Sequence, residues 1–124
     1  MTRPPIGAIH HVALRTSHVE PLDRFYRELL GLPLLRRDAA RGSVWLGLGE
    51  GVLMLEPASP DEPAVVRGTR ELIAFAVLDR EAWRAWLAAA GVPIEETTEH
   101  TLYFRDPDGR RVAVSTYPLP LGSP

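Results

Sequence analysis

The chain carries four histidines, His10, His11, His18 and His100, no cysteine, and fourteen arginines that supply every side-chain cation. Imidazole changes charge near neutral pH, so His11 is a candidate general base or ligand-contacting group. Without cysteine there is no thiolate nucleophile, no zinc thiolate site, no iron–sulfur ligation and no disulfide framework. Tyr103, Arg105 and Arg111 lie close together in sequence, and a guanidinium fork beside a phenol can hold a carboxylate, phosphate or phenolate. A cross-strand pair between Glu56 and an arginine such as Arg111 is the competing use of those cations. Trp45 offers either a flat wall for an aromatic ligand or filling for a dimer interface.

These side chains need elements to position them. Ala8 to Arg15 (AIHHVALR) alternates, with Ile9, His11, Ala13 and Arg15 on one face and His10, Val12 and Leu14 on the other, which predicts a strand. Ser17 and Glu20 have the spacing of a capping box. Leu22, Phe25, Tyr26, Leu29 and Leu30 then recur at helical intervals, Gly31 supplies a left-handed cap, and Pro33 prevents continuation. Short strands follow over 34–38, 43–48 and 52–56. The second half reads as a strand over 71–78, a helix over 80–90 capped by Asp79, and strands over 94–97, 101–105 and 110–116. Asp106-Pro107-Asp108-Gly109 favours a type I turn between the last two.

The order of elements repeats, and Gly31-Leu32-Pro33-Leu34 falls on Gly91-Val92-Pro93-Ile94. The expected fold is α+β: two βαβββ units, about 8–56 and 70–117, joined by a Pro-rich linker over 57–69 and forming one half-open curled mixed sheet in a single domain over 1–124. Helices cover one sheet face, so Leu46, Leu53, Leu55, Phe104 and Val112 are expected in the core with His10, Val12 and Leu14, and Leu48, Phe75 and Val77 belong to the same class. The opposite alternation class, which includes His11, Trp45, Met54 and Glu56 in the first unit and Leu72, Tyr103, Arg105, Arg111 and Ala113 in the second, lines the concave side. Trp83 and Trp86, on the second helix with Leu87, are expected in the core or an interface.

The segments HHVALRTSHVEPLDRFYRELLGLPL (His10 to Leu34) and HTLYFRDPDGRRVAV (His100 to Val114) resemble the vicinal oxygen chelate superfamily of glyoxalase, bleomycin-resistance and dioxygenase-like proteins. The likeness spans nearly the whole chain. Metal-using members carry ligands on the first, fourth, fifth and eighth strands. The resemblance puts His11 at the first of these positions and Glu56 at the second. Leu72 stands where the fifth strand usually offers histidine, and Ala113 where the last usually offers glutamate. Neither can donate an electron pair, so the implied metal site is incomplete.

Three functions follow as expectations. The first is metal-independent binding of a small organic molecule in the sheet cavity, with His11, Trp45, Met54, Tyr103, Arg105 and Arg111 as contacts and no cofactor required. The second keeps a divalent metal on His11 and Glu56 and makes the protein a lyase, isomerase or dioxygenase acting on a vicinal-oxygen substrate. The third is a non-catalytic dimeric module. The net charge of -2 gives no field for nucleic acid or an anionic membrane, and no apolar run at the start suggests a signal or span. A cytoplasmic homodimer is the expected form.

Overall fold

Alternation at the start of the chain becomes strand β1, His11–Thr16, in which Leu14 and Thr16 are buried while His11, Ala13 and Arg15 face outward. The computed structural model describes residues 2–119, and the chain divides into two compact units, Met1–Ala64 and Val65–Pro124. β1 begins later than the alternation predicts, which leaves His10 ahead of it. That residue is exposed rather than under the helix: its carbonyl accepts the Val52 N–H at 3.0 Å and its ring meets His11.

Helix α1, Val19–Asp23, continues as a π-helical segment, Arg24–Leu29. The expected Ser17 capping box does not form. Helical geometry starts one residue too late for it, with His18 at the cap position and no side-chain cap; Thr16 Oγ1 takes the His18 N–H at 2.9 Å. Glu20 pairs instead with Arg24, one turn on, at 3.3 Å. The wider π turn is closed by Leu30 N–H donating to the Phe25 carbonyl at 3.1 Å and Leu32 N–H to that of Tyr26 at 3.0 Å. Leu22, Phe25 and Tyr26 are all buried by it. At the exit Gly31 has φ +81°, which a side chain would resist.

Strands β2 (Leu34–Asp38), β3 (Ser43–Leu48) and β4 (Gly51–Pro57) complete the first sheet in the order β1-β4-β3-β2. β1 runs parallel to β4 and the other pairs are antiparallel. Leu14, Leu46, Leu53 and Leu55 are buried with the apolar stripe of the helix. Each such side chain contributes about 1.5–3 kcal/mol by leaving water.

The second unit repeats the plan with β5 (Leu72–Ala76), α2 (Arg80–Ala89), a two-residue β6 (Glu96–Thr97), β7 (Thr101–Arg105) and β8 (Arg111–Ser115), ordered β5-β8-β7-β6. Asp79 caps α2 by accepting the Ala82 N–H at 3.0 Å, as its sequence position predicts. Leu87, Leu102, Phe104, Val112 and Val114 are buried. Leu48, Phe75 and Val77 reach only half-burial because they sit at strand ends or on an edge strand. Trp86 is 52% exposed and so lies outside the core, while Trp83 is half-buried. The predicted turn is present: Gly109 N–H donates to the Asp106 carbonyl at 2.9 Å, and Asp106 Oδ1 accepts the N–H groups of Asp108 and Arg110.

Candidate ligand-binding sheet face

The register of β1, β4 and β3 assembles the outward side chains of the first unit row by row. His11 stands beside Val52, Ala13 beside Met54, and Met54 beside Trp45 on its other side. Small apolar groups around a half-buried indole form a flat surface of the sort that stacks against a planar molecule. At one end, His10 Nδ1 and His11 Nδ1 lie 3.0 Å apart with the rings edge to face. One of these nitrogens must carry the proton of that contact while the other accepts it. At the other end Arg15 stands beside Glu56.

Charge on this face is largely neutralised by side chains of the same unit. Arg15 is held by both oxygens of Glu62, at 3.0, 3.2 and 2.7 Å, and Glu62 also accepts the Ser59 N–H at 2.5 Å. The Arg15 hydrogen bond, helped by that from Ser59, pulls the Glu62 carboxyl down to about 2. Arg36 lies 5.2 Å from the centre of the Trp45 ring and pairs with Asp38 at 3.8 Å.

In the second unit Tyr103, Arg105 and Arg111 do share a sheet face, since Tyr103 stands beside Ala113 and Arg105 beside Arg111. Arg111 is 4% exposed and stacks on the Tyr103 ring at 4.1 Å. The carboxylates that meet these arginines are not the expected Glu56 but Glu95 and Glu96, because β6 places Glu96 directly beside Tyr103. Arg111 donates to Glu96 at 2.8 Å. Arg105 grips Glu95 through Nε and Nη2 at 2.5 and 2.7 Å, and its Nη1 reaches the carbonyls of Thr69 and Gly109. Arg105 therefore staples the linker to the β7–β8 hairpin, with every nitrogen engaged. Its hydrogen bond keeps the Glu95 carboxyl below the usual range.

A hollow of about 570 Å³ also opens in the first unit, on the helix side, where Arg24, Glu20 and Asp38 are among its walls. Burial would raise the Asp23 carboxyl at its base, but hydrogen bonds from Arg27 at 3.0 Å and Arg37 at 3.0 Å outweigh this and hold it ionised.

The donor set does not fit a divalent ion held by His11 and Glu56. Val52, not Glu56, lies beside His11; Glu56 is four residues further along β4, roughly 13 Å by strand rise. Within each unit, no group of three His, Asp or Glu converges among the described residues. Leu72 stands beside Arg111, and Ala113 is enclosed between Ala74 and Tyr103, so neither position offers an electron pair.

Fold and sequence together define the class. The Glyoxalase/Bleomycin resistance protein/Dioxygenase superfamily model matches residues 8–114, and the chain belongs to that family. Among curated relatives it is similar to the metallothiol transferase FosB of Staphylococcus epidermidis, 28% identical over 90% of this chain and 84% of that protein. Lactoylglutathione lyase from Agrobacterium tumefaciens shares the fold with a TM-score of 0.71 and 24% identity, over 90% of this chain and 95% of that one. The fosfomycin resistance protein FosX from Mesorhizobium loti superposes with a TM-score of 0.78 at 13% identity, covering 93% and 95%.

Glu62, Glu95 and Glu96 are the residues that sequence reasoning missed. A signal existed for Glu96, because pairing 94–97 with 101–105 across a short turn brings it beside Tyr103. None existed for Glu62, which sits in an aperiodic stretch and meets Arg15 only through the path of the linker.

Proposed function

We propose that this protein binds a small, largely planar organic molecule against the outward face of β1, β4 and β3, needs no resident metal to do so, and acts as a homodimer. The observation that carries the reading is the register: it groups Ala13, Val52, Met54 and Trp45 into one apolar surface with His11 at its end. Trp45 supplies the stacking area, Met54 adapts to the shape of the guest, and His11 contributes a hydrogen bond that fixes orientation. Tyr103 and Arg111 shape the second unit's face, where ion pairing holds the guanidinium in place.

The competing reading is a metal-dependent lyase, isomerase, transferase or dioxygenase. The likeness to a protein named as a metallothiol transferase favours it. The separation of Glu56 from His11 along the strands counts against it. Isothermal calorimetry with a panel of planar aromatic compounds tests the first reading. Micromolar binding is expected for some members, weakened about tenfold or more by Trp45→Ala, the loss equivalent to one well-stacked ring. If nothing in the panel binds below millimolar concentration, the reading is wrong.

A further inference from the structure

The two units cap and close their helices alike but over different lengths. From cap to exit glycine is thirteen residues in the first unit, His18 to Gly31, and twelve in the second, Asp79 to Gly91. α2 is regular throughout, whereas the first helix absorbs its additional residue in the π segment Arg24–Leu29. Such turns are rare and recur at functional sites. This one opens on the hollow of about 570 Å³ on the helix side of the first sheet, to which it contributes Arg24, Arg27 and Glu28.

The base of that hollow is a charged cluster whose packing alone does not account for it. Asp23 is 3% exposed and is bound from two directions, by Arg27 of its own helix and by Arg37 of β2. A buried carboxylate between guanidiniums stabilises a fold no better than apolar side chains of the same volume would. What the cluster does achieve is to fix two guanidiniums at one wall. Arg27 Nη1 and the Nε and Nη1 atoms of Arg37 make no hydrogen bond among the described residues, so they remain available as donors to a guest.

Charge does not select that guest. Arg24 meets Glu20, Arg27 meets Asp23 and Glu28, Arg37 meets Asp23, and Asp38 meets Arg36. An anion would have to compete with Asp23, and a cation would be repelled by the arginines. Donors and acceptors intermingle on a wall whose charges are paired, and a hydroxyl group, which both donates and accepts, matches such a wall. Val19, Ala39 and Val44 add apolar ground for the C–H face of a ring. The volume falls within the range of small-molecule sites, roughly 300–1,000 Å³. On these grounds we infer that the hollow is a second binding site, independent of the sheet face proposed above, for a neutral polyhydroxylated molecule such as a sugar or cyclic polyol.

Heteronuclear NMR titration of the isotope-labelled full-length protein tests the inference. The neutral probes are myo-inositol, D-glucose and D-galactose; D-glucuronate and D-glucosamine are the charged counterparts. At least one neutral probe should shift backbone amides within 19–28 and 37–44 with millimolar affinity, and both charged sugars should bind more weakly. Arg37→Met keeps the stem and loses the donors, so it should weaken that probe about tenfold, the effect of a hydrogen bond to a charged group. Ala39→Trp, on the exposed hairpin, leaves Asp23 and its arginines in place and should abolish binding by filling the hollow, which carries the test if Arg37→Met does not fold. Parent affinity retained in Ala39→Trp or in a folded Arg37→Met, or shifts confined to other residues, overturns the inference. So does tighter binding of either charged sugar than of every neutral one, or no shift by any neutral probe at about 100 mM.

Discussion

Arg15 illustrates how a single side chain on a prospective binding face is withdrawn from ligand contact. Alternation aims it outward beside Glu56, yet its guanidinium is closed by Glu62, from a segment with no regular structure. The same pair ties the Pro-rich linker to the first sheet. The Glu62 carboxyl, pulled to about 2 from an ordinary 4.5, makes this tie pH-dependent. A carboxyl depressed in the folded chain stabilises it fully above the unfolded value and loses that contribution as pH falls through the folded one. The urea midpoint of the parent should therefore exceed that of Glu62→Gln at pH 6, with the difference shrinking between pH 4.5 and 2. A difference constant down to pH 2 would show that the ion pair does not hold the linker. The contact is half-exposed, so the expected stability difference is small.

At the scale of elements, the placement of His11 depends on how closely β1 approaches β4. Gly51 opens β4, and a Cβ there would stand 2.7 Å from the Ile9 carbonyl oxygen and 2.8 Å from that of His10. Backbone cannot swing aside as a flexible side chain can. Gly51→Ala should cost about 1–3 kcal/mol in chemical denaturation, the range for a methyl forced into filled space. Gly7→Ala, whose Cβ meets nothing within 4 Å, should cost far less. Equal effects of the two would mean that β1 does not pack so tightly. Strand positions and both Gly-Pro helix exits were legible in the sequence because alternation, helical periodicity and turn residues are local signals. Register is a non-local property, and Glu56 suffered from that: its parity is readable from LMLE, but its four-residue offset from His11 is not. The π turn was hidden too, since Leu22, Phe25 and Tyr26 satisfy α and π spacing alike. His10 was misplaced because alternation continues through AIHHVALR, whereas strand pairing begins only at His11.

For the molecule as a whole, the chain keeps the family's scaffold, with a four-stranded mixed sheet in each half. Leu72 and Ala113 put hydrocarbon where the resemblance to metal-using members implies donors, and Glu95 and Glu96 absorb the arginines that could have gripped an anion. That Leu72 and Ala113 carry no donor atom is legible in the sequence; which carboxylates neutralise which guanidiniums was not, because both β6 and the linker lack a strong sequence pattern. Among the described residues no helix is long and apolar enough to cross a membrane. The central claim is that these faces bind an organic molecule without a resident metal, and elemental analysis tests it most directly. The protein is incubated in turn with excess zinc, nickel, manganese and iron(II), desalted, and its metal content measured per chain. Retention far below one equivalent for all four ions is the predicted result; one tightly held equivalent of any of them would contradict the account.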